Sequence, residues 1–153
     1  MRDLVAATIL SDSLKYSRKF LGSMKEPHEY ATWICNGKKE WGGVPELKVL
    51  SIYYQKIFIV VDIQELKLHK FGDENESDGK VYLMYDGTHY NCGALTSPVT
   101  NNSRYIFFMN EDYDVGFLEY AKMLKENSEF VDTVTFTLKC NNCGTAVKGQ
   151  VEA

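Results

Sequence analysis

Residues 57–61 read IFIVV, apolar at every position. A strand with no polar face to offer water belongs in the middle of a sheet, covered on both sides. Just downstream, Leu66-Lys67-Leu68-His69-Lys70-Phe71 alternates, which predicts a half-exposed strand. The charged stretch GDENESDGK is a loop, and Val81 to Tyr85 is a further strand ending at Asp86-Gly87. Upstream, Pro45 opens a helix through about Tyr54, with Leu47, Leu50 and Tyr54 at helical spacing on a buried face. Residues 26–35, EPHEYATWIC, form another short helix with Pro27 in its first turn and Tyr30, Trp33 and Ile34 on one face. Residues 2–21 form two helical pieces broken at Ser11-Asp12, and Gly22 stops the second. Toward the C-terminus the pattern predicts a strand at Tyr105 to Met109. A helix follows over 112–126, with Val115, Leu118, Ala121, Met123 and Leu124 inward, and then a strand at Val134 to Leu138. Helices first, then strands with helices between them, give an α/β or α+β chain with a mixed sheet.

The 153 residues are 44% hydrophobic, which suffices for one domain with a real core and not for two. The net charge is -4 and no basic stripe occurs, which argues against a nucleic-acid partner. No apolar run approaches the length of a membrane span. The opening MRDLVAATILSDS carries Asp3 and closes in Ser11-Asp12-Ser13, so it reads as a helix and not a secretory signal. Four cysteines without such a signal point to a reduced, cytoplasmic setting.

The chemistry-bearing stretch is VYLMYDGTHYNCGAL, residues 81–95. His89 and Asn91 follow a strand end and a tight Asp-Gly turn. Side chains two apart on an extended segment point the same way, so an Asn91 amide oxygen could accept from the His89 ring and fix its tautomer. That is the orienting arrangement of a Cys–His–Asn hydrolase. From the local pattern alone, a turn histidine with ordinary polar neighbours is the favoured reading. Cys140-x-x-Cys143 follows a strand and precedes Gly144, as in the first half of a zinc knuckle. No Cys or His follows Cys143, so a truncated finger is the favoured reading, ahead of a redox pair. Cys92 follows a strand and Cys35 closes a helix, where the dipole has the wrong sign for a thiolate. Both read as small hydrophobes and not as nucleophiles. Trp41-Gly42-Gly43 is a loop whose glycines let the backbone pass close to another group, compatible with a substrate cleft.

Taken together, EYATWICNGKKEWGGVPELKVLSIYYQKIFIVVDIQ followed by VYLMYDGTHYN resembles the ovarian-tumour (OTU) family of cysteine deubiquitinases. The trailing FTLKCNNCGTAVKGQVEA narrows the likeness to the branch with a C-terminal two-Cys, two-His zinc finger, and MRDLVAATILSDSLKYSRKFLG also fits that branch. The resemblance implies an α+β, papain-like cysteine protease fold with a mixed sheet flanked by helices. It implies thiol-dependent hydrolysis of isopeptide bonds at the C-terminal glycine of ubiquitin, with ubiquitin and polyubiquitin chains as partners. A hexameric AAA ATPase is a further partner of that branch. Carried over by position, His89 matches the catalytic histidine and Asn91 the orienting residue. Trp41, Gly42 and Gly43 match the Trp-Gly-Gly loop, and Cys140 and Cys143 match the first two structural zinc ligands.

One departure bears on activity. The family nucleophile sits in an Asp-Gly-x-Cys segment, and the two Asp-Gly pairs here, at Asp78 and Asp86, run on into Lys80-Val81 and Thr88-His89. The chain therefore reads as a fragment clipped at both ends, lacking the nucleophile helix. Residues 1–110 would be a partial catalytic domain, 111–138 a helix and strand completing it, and 139–153 the first half of a zinc finger. The expectation is an inactive fragment of a deubiquitinase, with a ubiquitin-binding pseudoenzyme as the alternative.

Overall fold

Strand β1 (Lys56–Asp62) buries Ile57, Ile59, Val60 and Val61. In the computed structural model, which describes residues 1–36, 42–132, 137–139 and 146–148, it is an inner strand of a four-stranded sheet. The order is β2-β1-β3-β4, with β2 at Lys67–Phe71, β3 at Gly79–Tyr85 and β4 at Tyr90–Cys92. The apolar run is thus internal, as its pattern predicts, and the alternating run, expected as a half-exposed strand, is an edge with Leu68 and Phe71 half-buried. The Gln55 carbonyl, just before β1, accepts from Asp78 N–H, just before β3, at 3.0 Å. Ile63 N–H, just after β1, donates to the carbonyl of Tyr85, the last residue of β3, at 3.1 Å. Start meets start and end meets end, so β1 and β3 run parallel. β3 and β4 are antiparallel, with Met84 opposite Asn91 and Tyr85 opposite Tyr90. The sheet is therefore mixed, and the class is α+β.

By packing, the chain divides into two compact units, Met1–Phe58 with Phe71–Lys80, and Ile59–Lys70 with Val81–Ala153. The first is built on α1 (Arg2–Ser11), α2 (Arg18–Leu21), α3 (Pro27–Cys35) and α4 (Val44–Tyr54). Val5, Ile9, Leu21, Ile34 and Val49 fill its interior. The break after α1 is held where Asp12 Oδ1 accepts the Lys15 N–H at 3.0 Å. Gly22 ends α2 at φ 59, a left-handed cap that suits glycine. Trp33 packs on Tyr30, ring centroids 5.1 Å apart, with Lys25 over its face. One expectation fails here. Tyr54 is exposed, edge-on to Tyr53, because it is the last residue of α4, before Gln55 turns left-handed at φ 51. The row that buries α4 is Leu47, Val49, Leu50 and Ser51.

The second unit is organised by aromatic rings. Tyr82 of β3 stacks on Phe117 of α5 (Asp114–Glu126) at 4.2 Å, and Phe107 meets both rings edge-on. Gly93 lies under this stack, where an added Cβ would come 2.6 Å from Phe117 Cε1 and 3.2 Å from Tyr82 Cβ. Two sequence expectations are corrected here. No strand spans 105–109: Phe107 alone is buried, while Tyr105, Ile106 and Phe108 are exposed. The Glu111 carboxylate takes the Phe108 N–H at 2.8 Å and the Arg104 guanidinium at 2.8 Å, winding the segment into a loop around Phe107. A short pair precedes it, β5 (Leu95–Thr96) against β6 (Ser103–Arg104). On α5 the buried residues are Phe117 and Ala121, while Val115 and Met123 face water. The aromatic stack sets the face, and Phe117, absent from the expected inner set, anchors it. Finally, β7 (Thr137–Lys139) pairs antiparallel with β8 (Ala146–Lys148), Lys139 opposite Ala146.

Candidate active site

The turn between β3 and β4 is made by Asp86, Gly87, Thr88 and His89. Asp86 N–H donates to the His89 carbonyl at 3.2 Å, and Gly87 takes φ 104, a conformation glycine adopts without a Cβ penalty. The Asp86 carboxylate folds over the turn. Its Oδ1 accepts the N–H of Thr88 at 2.8 Å, the N–H of His89 at 2.7 Å and the Thr88 hydroxyl at 3.0 Å. Burial works to raise the Asp86 carboxyl. The backbone N–H bonds from His89 and Thr88, with the hydroxyl, outweigh that and hold it below its ordinary value. The Thr88 hydroxyl also lies 2.9 Å from Nδ1 of the exposed His89 ring. Tyr85 and Tyr90 close the hairpin base by stacking at 4.7 Å.

Two residues on, Asn91 sits across from the buried Met84. Both line a cavity of about 660 Å³ within the second unit. Ile63, Phe117 and Leu124 give it an apolar floor, and Asp86 adds a carboxylate. A mostly apolar hollow with a few converging polar groups is the usual form of a ligand site. Tyr113 and Gly116 of the α5 end contribute to the same wall. That end is pinned where Tyr82 donates to Asp114 Oδ1 at 2.7 Å and Lys70 pairs with Asp114 Oδ2 at 2.9 Å.

Of the remaining candidates, Cys92 lines the same cavity, and the others belong to the first unit or fall outside the described residues. Gly42 and Gly43 belong to the first unit, and Trp41 lies outside the described residues. Glu46 holds this loop: its Oε2 accepts the Gly43 N–H at 2.6 Å, and its Oε1 takes the hydroxyl of buried Tyr30. Burial first, and the Glu46 carboxylate second, push the Tyr30 hydroxyl far up, so it stays a neutral donor. Cys140 and Cys143 fall between β7 and β8 in sequence, outside the described residues. Among the described residues no group of three or more His, Cys, Asp or Glu could hold a metal. Two thiolates in this spacing fit half of a tetrahedral zinc donor set. Burial pushes the Cys92 thiol up. Cys35 is raised as well, by desolvation and then by its contact with Asp3. Neither thiol has the environment of a nucleophile. The sequence reading missed the Asp86–Thr88 contacts, although Asp two and three residues before a turn's N–H groups is a known turn-forming signal.

A carboxylate-braced histidine beside an apolar cavity has the makings of an acid–base site, and relatives sharpen the picture. No model of a protein family matches the chain. A protein of Arabidopsis thaliana, OVARIAN TUMOR DOMAIN-containing deubiquitinating enzyme 2, is 35% identical over 162 residues, covering all of this chain and 76% of that protein. The chain belongs to the OTU deubiquitinase family. Ubiquitin thioesterase OTU1 of Mus musculus is 36% identical over 160 residues, again across the whole chain but only 44% of its own length. The chain thus spans about half of the vertebrate relatives it matches. A solved structure of an ovarian tumor (OTU) domain in complex with ubiquitin superposes with a TM-score of 0.68 at 26% identity, over 85% of this chain and 73% of that one. The papain-like OTU fold is therefore the fold of this chain. Among the described residues no helix is long and apolar enough to cross a membrane.

Proposed function

We propose that this chain is the histidine-bearing part of a deubiquitinase and that it engages the C-terminal tail of ubiquitin. The observation carrying this reading is the placement of His89 and Asn91 on one hairpin, with Asn91 and Asp86 on the wall of an apolar cavity, in a chain of the OTU family. In the reaction, His89 takes the proton of a cysteine thiol, and the thiolate attacks the carbonyl of the terminal glycine. The imidazolium then gives its proton to the departing lysine amine, leaving a thioester that water hydrolyses. Asn91 fills the orienting position beside the ring. Gly42 and Gly43, with Trp41, would border the path of the substrate.

None of the four cysteines stands in an Asp-Gly-x-Cys setting, and Cys35 and Cys92 carry raised thiol pKa values. The 153 residues alone therefore bind ubiquitin without cutting it. Cys140 and Cys143 would supply two thiolates of a structural zinc site whose other donors come from elsewhere, with no part in the reaction. A reduced cytoplasmic setting suits these thiols, and a hexameric AAA ATPase is the further partner proposed from the family resemblance.

Isotope-labelled ubiquitin titrated with the purified chain to about 1 mM tests this, since even a Kd near that value is worth only ~4 kcal/mol. Shifts concentrated in the ubiquitin tail are expected. Their absence would overturn ubiquitin as the ligand. A ubiquitin bearing a C-terminal electrophile should leave the chain unlabelled, and labelling of any of its cysteines would overturn the assignment of the nucleophile to a thiol outside these four.

A further inference from the structure

The cavity of the second unit has a lining that is unbalanced in charge. Asp86 and Glu129 supply two carboxylates, and no Lys, Arg or His stands among the described residues around it. Neither acid takes part in a salt bridge among the described residues. The three hydrogen bonds to the Asp86 carboxylate all arrive at Oδ1, so Oδ2 keeps its lone pairs to offer. Glu129 accepts at Oε1 from the Asn127 amide, at 3.3 Å. Around the two acids stand the rings of Phe117 and Tyr120 and the aliphatic side chains of Ile63 and Leu124. The opening of the first unit differs, because Lys15 and Lys48 share its rim with the acids and supply counter-charges of its own.

Apolar walls, aromatic rings and uncompensated carboxylates together select a cation carried on an apolar stem. A guanidinium suits such a place better than an ammonium. It is planar and more weakly hydrated, and it can lie on a ring while its N–H fork meets a carboxylate. The chain already houses one guanidinium in this way. Arg104 pairs with Glu111 at 2.8 Å, and its guanidinium carbon lies 5.1 Å from the ring centre of Phe107 and 5.9 Å from that of Tyr113, itself part of the cavity wall. The cavity repeats that set of partners without the cation. We infer that it is a binding site for a small organic guanidinium compound, its stem against Ile63 and Leu124 and its head held by Asp86 and Glu129. A volume of about 660 Å³ has the scale of a small-molecule site. Asp86 and Asn91 belong to its wall, so the ligand rests on the hairpin that carries His89. The inference goes beyond the ubiquitin reading and does not depend on it.

The test uses n-butylguanidine and its neutral isostere n-butylurea, each titrated into the ¹⁵N-labelled 153-residue chain in the millimolar range. The guanidine should move the amide signals of Phe117, Tyr120, Leu124 and Glu129 in a saturable way. The urea should bind at least about tenfold more weakly, the weight of one charge-assisted hydrogen bond. Added salt should weaken the guanidine and leave the urea unchanged. Glu129→Gln keeps the size of an exposed side chain and should weaken the guanidine severalfold without touching the urea. Equal binding of the two compounds to the unmodified chain would overturn the inference whatever the variant does. So would shifts confined to the opening of the first unit, or a guanidine affinity unchanged in Glu129→Gln. An arginine-bearing peptide that binds where n-butylguanidine does not would also overturn it, in favour of a protein ligand. No ubiquitin enters these titrations, so their failure is separable from failure of the ubiquitin reading.

Discussion

The two compact units solve the same burial problem with different materials. The first fills its interior with branched aliphatic side chains from four helices, Val5, Ile9, Leu21, Ile34 and Val49 among them. The second relies on three aromatic rings, Tyr82 of β3 stacked on Phe117 of α5 with Phe107 edge-on to both. Their hollows differ in the same way. The first unit has an opening of about 920 Å³ edged by Lys15, Lys48, Asp73, Glu76 and Asp78, charges that water already solvates. The second has a cavity of about 660 Å³ with an apolar floor and Asp86 and Asn91 at its wall. The latter has the more apolar lining, with a few directed polar groups set in it. Aliphatic side chains fill the interior of the first unit, and aromatic rings fill that of the second, beside the cavity that carries Asp86 and Asn91.

The largest test of that contrast is Ile34→Ala. Ile34 is wholly buried among close-packed neighbours, so truncation should cost about 2–5 kcal/mol, read from urea denaturation. A loss well under 1 kcal/mol would show that the aliphatic interior is not tightly filled. Next comes Gly93→Ala. The added methyl must displace Phe117 from its stack on Tyr82, at an expected cost of about 1–3 kcal/mol. The near-ultraviolet circular dichroism of the tyrosines should fall with it, and an unchanged signal would place the ring stack elsewhere. Tyr82→Phe removes a hydroxyl that donates to Asp114, which keeps its pairing with Lys70, and that accepts the Tyr113 N–H at 3.4 Å, so about 1 kcal/mol is expected. Equal stability of the two proteins would mean that bond is replaced by water.

The smallest effect concerns pH. Asp86 has a lowered folded-state pKa, so its bonds stabilise the turn fully above the ordinary aspartate value of 3.8 and lose that contribution as the pH falls through the lower folded value. Amide exchange at Thr88 and His89 should therefore quicken in acid below pH 3.8 before the rest of the sheet responds. Protection that falls uniformly along β3 and β4 would argue against a local role for the carboxylate.

Much of this was legible in the chain. Five consecutive apolar residues read as a strand covered on both faces, Pro27 and Pro45 mark two helix starts, and Gly22 marks a stop, because each rests on local chemistry. The errors came where a side chain outside the segment decides, whether it is a near neighbour or a distant one. Tyr105 to Met109 has strand composition, but Glu111 and Arg104 capture its backbone and side chains into a loop. The inner face of α5 depends on Tyr82, more than thirty residues away, and no periodicity within the helix reports it. Within the site, His89 and the Asp-Gly turn were visible as residue types. The Thr88 contact was not, because a threonine beside a histidine bridges to a carboxylate only in one turn geometry.

The pairing of Trp33 with Tyr30 has an optical consequence. Both tryptophans, Trp33 and Trp41, fall within Met1–Phe58, and the second unit has only tyrosine and phenylalanine as fluorophores. Excitation at the red edge of the absorption band therefore reports on the helical unit alone, while tyrosine emission and dichroism weigh toward the aromatic one. The molecule carries two built-in spectroscopic channels, and superposition of their melting curves would measure whether its halves come apart as one cooperative body.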